Sequence, residues 1–169
     1  MTKCDTEVSE ALVLRVAATD PKWMPAYQSS GASGADLLAA IEAPIEIAPG
    51  KVCLIPTGLF LEVPEGFEVQ VRPRSGLAAK SQLGVLNSPG TVDSDYRGEV
   101  KVILMNHGEI PFTVVPGMRI AQMVVCPVIR VKFLAVDRLG ETVRGSGGFG
   151  HTDFLLTDGG SSATMLPKT

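Results

Sequence analysis

Short apolar runs separated by proline and glycine make up most of the chain. In several runs apolar and polar residues alternate, as in Phe67-Glu68-Val69-Gln70-Val71, which is the period of a strand with one buried face. The runs are ALVLRVAA, IEIAP, KVCLIPTGLFLEV, FEVQVRP, EVKVILMNHG, FTVVP, RIAQMVVCPVI and RVKFLAVDRL. Turn signals lie between them at Pro49-Gly50, Pro64-Glu65-Gly66, Pro89-Gly90, Asn106-His107-Gly108 and Pro116-Gly117. Many short strands joined by such turns predict an antiparallel sandwich or barrel.

One internal segment has a helical pattern. SGLAAKSQLGV, residues 75–85, begins with Ser75 as a candidate N-cap and ends near Gly84. GADLLAAI, residues 34–41, has helix-forming composition, but its flanking glycine and proline residues make a strand or turn equally consistent. The fold class predicted from these patterns is therefore all-β with one short helix.

Composition narrows the class of protein. The 169 residues, 45% apolar and 20% charged, fit one globular domain. A net charge of −3 argues against a general basic surface for DNA or RNA, and no apolar stretch approaches the roughly 18 residues that span a bilayer. Three widely spaced cysteines without a CxxC pair favour a reducing, cytoplasmic location. Apolar density falls late in the chain, which predicts a domain over residues 1–140 and a flexible tail over 141–169.

A cationic segment, VRPRSGLAAKSQ, lies where a predicted strand gives way to the predicted helix. Arg72, Arg74 and Lys80 supply positive charge, and Ser75 and Gly76 fall at the helix start, where free N–H groups attract anions. The segment therefore suits a phosphate cradle. The alternative is a solvated strand edge followed by an N-cap serine.

An acidic segment, NSPGTVDSDYRGEVKV, covers residues 87–102. TVD and YRGEVKV predict two strands of a hairpin around Ser94-Asp95. Asp93 and Asp95 offer a general base or a metal ligand, and Tyr96 offers a flat aromatic face. Ordinary turn chemistry is the alternative, since Asp, Ser and Gly all favour turns.

Three further features remain open from the residues alone. Asp36 is a lone acid among small residues, consistent with a cap or turn. Gln122 is an amide in an otherwise apolar strand, so it either pairs with backbone or faces a site. The segment RGSGGFGHTD, residues 144–153, matches dinucleotide and P-loop expressions but lacks the helix that either requires. Its glycine N–H groups and Arg144 can hold phosphate, or the segment is a plain flexible tail.

Five motifs in order resemble those of the trimeric dUTPases: ASGADLLAA, RPRSGLA, NSPGTVDSDYRGE, GMRIAQMV and RGSGGFGHT. The resemblance implies a distorted jelly roll, the β-clip sandwich of that family, assembled as a homotrimer with active sites at subunit interfaces. It also implies hydrolysis of dUTP to dUMP and pyrophosphate with Mg²⁺, which supplies dUMP for thymidylate synthesis and keeps uracil out of DNA. No direct contact with DNA, RNA or membrane is expected.

The resemblance assigns roles to residues in the first four motifs. Asp93 is implied as the general base for the water that attacks the α-phosphorus, and Asp36 as a group that orients waters on Mg²⁺. Tyr96 would pack against deoxyribose and exclude a 2′-hydroxyl. The resemblance also implies phosphate contacts from Arg74, Ser75, Gly76 and Gln122. Asn87 and the backbone near Thr91 and Val92 would contact uracil. Lys101 would add a further contact with the substrate.

The tail is implied to be a lid. Arg144 and the glycine N–H groups would close over the β- and γ-phosphates, Phe149 would stack on uracil, and Gly150 and Thr152 would contact substrate. His151 departs from the family pattern, in which Ser or Thr is frequent, and can add a pH-dependent phosphate contact. Two other functions remain as alternatives: a dCTP deaminase of similar architecture, and a jelly roll that binds nucleotide without catalysis.

Overall fold

The computed structural model describes residues 12–148 of the chain. The chain divides into two units, Met1–Arg130 and Val131–Thr169. Within the described residues, every strand and helix belongs to the first unit, and residues 131–148 contain neither. The predicted domain boundary near residue 140 and the flexibility of residues 141–169 stay predictions.

Eleven strands, one 3₁₀ turn and one α-helix form the described part of the first unit, which confirms the all-β prediction with a single short helix. The 3₁₀ turn is Pro21–Trp23 and the helix, α1, is Ser75–Ser81. The strands are β1 (Arg15–Ala18), β2 (Ala26–Tyr27), β3 (Ala35–Leu38), β4 (Ile45–Ile47), β5 (Val52–Glu62), β6 (Phe67–Arg72), β7 (Leu83–Val85), β8 (Gly90–Val92), β9 (Glu99–Asn106), β10 (Phe112–Val114) and β11 (Arg119–Pro127).

Two main antiparallel sheets share one apolar core. Their strand orders are β1-β5-β9-β7 and β2-β3-β11-β6-β8, and a third, two-stranded sheet pairs β10 with β4. The alternation in the sequence sets which side chains enter the core: Val69 and Val71 of β6 are buried, as are Val100, Val102 and Leu104 of β9. Because both sheets contribute to this cluster, the first unit is a sandwich.

Asn106 is the polar anchor of the core. The side chain is fully buried, and its amide nitrogen donates to the carbonyls of Ile47 at 2.9 Å and Ile110 at 2.8 Å. Its side-chain oxygen accepts from the Gly108 N–H at 2.9 Å. These bonds satisfy the buried amide and fix the turn that follows β9.

The helix prediction is correct in place but too long. Arg74, not Ser75, occupies the N-cap position, and no side chain caps the helix. Gln82 ends it with a left-handed φ of 52° and donates its N–H to Ala78 and Leu77 carbonyls. Gly84 then belongs to β7, because Leu83 and Val85 are buried against β9 rather than continuing a helix.

Two strand predictions are wrong, and one open segment is now assigned. RVKFLAVDRL forms no strand: among the described residues it has no pairing partner, and Phe133 and Leu134 are 91% and 79% exposed. The residues around Ser94-Asp95 do not join a two-stranded hairpin. β8 pairs with β6 in one sheet and β9 pairs with β5 and β7 in the other, so residues 93–98 cross between the layers. GADLLAAI contains strand β3, which pairs with β11 and β2.

Candidate active site

Four of the residues predicted to contact phosphate lie in one cavity. Arg74, Ser75 and Gly76 form the start of α1, and Gln122 comes from β11. Asp36 of β3 lines the same cavity, whose volume is about 470 Å³. Its other lining residues are Gln28, Ala32, Gly34, Leu77, Lys80 and Ser81. We call it the phosphate cavity.

Sheet register explains why distant parts of the sequence meet there. Gln122 lies opposite Asp36 on one side and opposite Arg72 on the other, because β11 runs between β3 and β6. β6 ends at Arg72, and Pro73 leads directly into Arg74 and the helix. The prediction that these residues act together is thus consistent with the fold. Arg72 does not line the cavity; it donates to Gln70 Oε1 instead.

Asp36 is buried between two guanidinium groups. Its Oδ1 lies 3.0 Å from Arg74 Nε, and its Oδ2 lies 3.5 Å from Arg119 Nε. Oδ2 is buried and forms no hydrogen bond within the described part of the chain. Arg74 is held further by a 3.2 Å hydrogen bond from its Nη1 to the Arg119 carbonyl. Two arginines against one carboxylate leave an excess positive charge, which suits an anionic ligand.

The Gln122 side chain is oriented by a backbone hydrogen bond and by the space that Gly34 leaves beside it. Its Nε2 donates to the Pro73 carbonyl at 3.0 Å, which leaves a second amide hydrogen for a ligand. A Cβ on Gly34 would lie 3.1 Å from Gln122 Cδ and closer still to Oε1. Gly34 therefore provides the space in which this amide faces the cavity.

The predicted base lies in a different cavity. Asp93 directly follows β8 and lines a cleft of about 430 Å³ with Asp95, which we call the acidic cleft. Its other lining residues are Glu65, Gly66, Phe67, Glu68, Ser94, Val128 and Arg130. The phosphate cavity and the acidic cleft share no lining residue. Among residues 12–148 of one copy, Asp93 and Arg74 therefore line separate cavities.

The residues predicted to read base and sugar lie on β8 and around the crossover. Val92 is buried and pairs with Val69, so its backbone alone is left for a ligand, whereas Asn87 and Thr91 are exposed. Tyr96 is 45% exposed, and its hydroxyl donates to the Glu99 carbonyl at 3.1 Å. Lys101 is on β9, 3.4 Å from Glu99 Oε2, and lines neither cavity.

The described part of the tail forms a local turn. Arg144 Nε donates to the Gly147 carbonyl at 2.9 Å, and Gly145 has a φ of +52° and donates to Thr142 Oγ1 at 3.1 Å. Phe149, Gly150, His151 and Thr152 lie outside the described residues, so their predicted roles are untested.

Three residues in or next to these cavities had no role assigned to them from the resemblance. Arg119 had no signal in the sequence, because its contact with Asp36 depends on the register between β11 and β3. Lys80 was named as a cation of the segment VRPRSGLAAKSQ but was given no substrate contact; it follows Gly76 by four residues and so shares its helix face. Glu68 lines the acidic cleft because β6 pairs with β8.

Across residues 12–148, no group of three His, Cys, Asp or Glu side chains is arranged to hold a metal ion. None of the helices there has the length and apolar character required to cross a membrane.

Comparison with known proteins assigns the chain to a family. The family model described as dUTPase matches residues 20–153. The chain is 57% identical over 131 residues to the deoxyuridine 5'-triphosphate nucleotidohydrolase of Rhizobium rhizogenes (strain K84), with 76% of this chain and 84% of that one covered. The chain belongs to the dUTPase family. The resemblance inferred from the five motifs is thereby confirmed.

Solved structures agree on the fold. A dUTPase of Staphylococcus bacteriophage 80alpha, solved with dUpNHpp, has a TM-score of 0.76 at 22% identity and covers 84% of this chain and 99% of its own. A D95N mutant dUTPase from phage phi11 of S. aureus, described with a structural Mg(II) ion, has a TM-score of 0.69 at 18% identity, covering 77% of this chain and 100% of its own. At these identities the likeness establishes the architecture of this dUTPase-family chain.

Proposed function

We propose that this chain hydrolyses dUTP to dUMP and pyrophosphate, supplying dUMP for thymidylate synthesis and keeping uracil out of DNA. The observation that carries the proposal is the phosphate cavity, in which Arg74, Ser75, Gly76 and Gln122 meet around Asp36. Three separated motifs of the chain contribute to it. Membership of the dUTPase family supports the choice of substrate.

Phosphate oxygens are held by the start of α1 and by Gln122. Asp36 and the Arg119 carbonyl fix the Arg74 guanidinium through Nε and one hydrogen of Nη1, which leaves Nη2 and the other Nη1 hydrogen to donate to phosphate. The N–H groups of Ser75 and Gly76 lie in the first turn, where no helical carbonyl accepts them. The free amide hydrogen of Gln122 adds a neutral donor. This arrangement neutralises the negative charge of the triphosphate and positions it for attack.

Asp93 acts as the general base. It takes a proton from water as the water oxygen bonds to the α-phosphorus, and the bond from that phosphorus to the bridging oxygen breaks to release pyrophosphate. Its exposed position at the end of β8 allows water to reach it. Asp95 lines the same cleft, so position alone does not distinguish the two carboxylates as candidate bases. Substituting each of them in turn does.

The complete site is assembled from several copies of the chain in a homotrimer. Support comes from the separate locations of Arg74 and Asp93 in each copy. The segment from Ile129 to Leu139 gives further support, because its large apolar side chains are exposed and gain stability when another copy covers them. An isolated chain would then hold only parts of the site.

Mg²⁺ fits this site as an ion held mainly by the substrate. Among the described residues that line the phosphate cavity, Asp36 is the one carboxylate. Both of its oxygens face guanidinium groups, so it is poorly placed as a direct ligand. Its Oδ2, which lacks a hydrogen bond, can accept one from a metal-bound water. When bound, the ion neutralises charge on the phosphates.

The base and sugar are read around β8 and the crossover. Asn87 and the backbone of Thr91 and Val92 bind uracil, and Tyr96 packs on the deoxyribose. Lys101 gives an additional contact. In the tail, Arg144, Gly150 and Thr152 close over the phosphates while Phe149 stacks on uracil. The free thiols of Cys53 and Cys126 support a reducing, cytoplasmic location.

Pyrophosphate release tests the proposal. Purified protein with Mg²⁺ and dUTP is expected to release pyrophosphate, and Asp93→Asn to abolish turnover while retaining dUTP binding. Asp95→Asn is the matched control and is expected to keep most of the activity. A folded wild-type protein that released no pyrophosphate would contradict the proposal. Ammonia release from dCTP would favour the deaminase, and binding without either product would favour a nucleotide-binding protein.

A further inference from the structure

The crossover between β8 and β9 places Tyr96 through three local contacts. The Tyr96 N–H donates to the Asp93 carbonyl at 3.2 Å, which closes a turn next to the proposed base. Arg97 Nη1 donates to the carbonyls of Ser94 at 2.8 Å and Tyr96 at 3.0 Å. The Tyr96 hydroxyl reaches forward to the Glu99 carbonyl. The ring therefore folds back over the residue between Arg97 and Glu99.

The far end of this arrangement is also anchored. Glu99 Oε1 accepts the Gly58 N–H at 2.9 Å, which ties β9 to the neighbouring strand β5. The carbonyl that receives the Tyr96 hydroxyl thus belongs to a residue fixed in the sheet. Hydrogen bonds from the Tyr96 N–H and hydroxyl thus set where its ring lies relative to Asp93.

Gly98 lies beneath that ring, and no side chain fits there. A Cβ at this position would lie 2.5 Å from Tyr96 Cζ, 2.9 Å from Cε2 and closer still to the hydroxyl oxygen. Real Cβ contacts essentially never fall under 3.0 Å. Gly98 does not have a positive φ, so alanine suits its backbone and only the space is unusual. An alanine would therefore displace the ring rather than strain the chain.

We infer that Gly98 is a specificity-determining positioning residue: it lets the Tyr96 ring lie close over the Gly98 backbone and so sets how closely the sugar of the nucleotide approaches. The inference rests on the proposed contact between Tyr96 and deoxyribose. A ring pushed outward from Gly98 no longer excludes a 2′-hydroxyl in the same place. Loss of Gly98 thus weakens discrimination against ribonucleotides more than it weakens turnover of dUTP.

The test compares kcat/KM for dUTP with kcat/KM for UTP, both followed by pyrophosphate release. Gly98→Ala is expected to lower the preference for dUTP by about tenfold, the scale of effect for a displaced positioning group. Gly31→Ala is the matched control, because its Cβ meets nothing within 4 Å and its φ is not positive. An unchanged preference in folded Gly98→Ala would overturn the inference.

Tyr96→Ala separates this inference from the proposed function. If Tyr96→Ala loses the preference for dUTP over UTP and Gly98→Ala keeps it, only the role of Gly98 is contradicted. If Tyr96→Ala keeps the preference for dUTP over UTP, both the proposed sugar contact and the role of Gly98 are contradicted.

Folding of the variant gives a second, independent readout. If Gly98→Ala is too unstable to assay, the double variant Gly98→Ala/Tyr96→Ala is compared with Tyr96→Ala by thermal unfolding. Because removal of the ring removes the clash, the two midpoints are expected to coincide. A double variant as unstable as Gly98→Ala would show that the ring is not what the new methyl group meets.

Discussion

Replacing Asp36 by asparagine tests the charge cluster of the phosphate cavity. The substitution keeps the shape of the side chain but removes the negative charge that lies 3.0 Å from Arg74 Nε and 3.5 Å from Arg119 Nε. An amide nitrogen or a neutral oxygen then faces two guanidinium groups. Breaking a fully buried pair from one side costs about 3–5 kcal/mol.

The expected cost here is smaller, because the arginines keep access to water. The Asp36 side chain is 10% exposed, but those of Arg74 and Arg119 are 33% and 50% exposed. We therefore expect the free energy of unfolding to fall by about 2 kcal/mol. Arg74 also loses its orientation, so KM for dUTP is expected to rise by about tenfold, equivalent to about 1.4 kcal/mol.

Urea unfolding and steady-state kinetics measure the two effects. Glu62→Gln is the control for stability, because it breaks a 3.1 Å pair with Arg15 whose side chains are 52% and 76% exposed. Such a pair contributes about 0–1 kcal/mol. If Asp36→Asn changed stability no more than Glu62→Gln and left KM unchanged, the assigned role of the cluster would be refuted.

Two further substitutions and one truncation test other parts of the molecule. Gly34→Ala is expected to raise KM for dUTP by about tenfold with a stability loss under about 1 kcal/mol, because Gln122 is flexible enough to move aside; an unchanged KM would contradict this. Asn106→Ala is expected to lower the free energy of unfolding by about 2–4 kcal/mol in urea, since two carbonyls and one N–H lose their buried partner; a loss under about 1 kcal/mol would contradict it. Truncation after Leu139 is expected to keep the circular dichroism spectrum and lose most pyrophosphate release, and normal turnover by the truncated chain would rule out the proposed lid.

Local patterns in the sequence were sufficient for most strands, whereas Asp36, Arg74 and Gln122 were grouped only through the resemblance to the dUTPases. Alternation placed Val69 and Val71 inside, and the order of the motifs grouped Arg74 with Gln122 before their register was known. Pairing between distant strands was not accessible in this way. The contact between Arg119 and Asp36 depends on such a pairing.

The wrong predictions have a related cause. Apolar alternation in RVKFLAVDRL is suited to a strand, but a strand also needs a partner, and none is present among the described residues of one chain. TVD and YRGEVKV are adjacent in sequence and have hairpin turn residues between them, yet β8 pairs with β6 and β9 pairs with β5, in separate sheets. Turn residues alone do not reveal that β6 and β5 compete with the hairpin partner for each strand.

In the proposed homotrimer, Arg74 and Asp93 of different copies complete one active site. Arg74→Ala and Asp93→Asn, each inactive alone, are mixed by co-refolding, and pyrophosphate release from dUTP is measured. Mixed trimers are expected to regain activity, because some sites then combine an intact Arg74 from one copy with an intact Asp93 from another. If both residues served the same site from the same chain, every site would carry a defect, and the mixture would stay inactive.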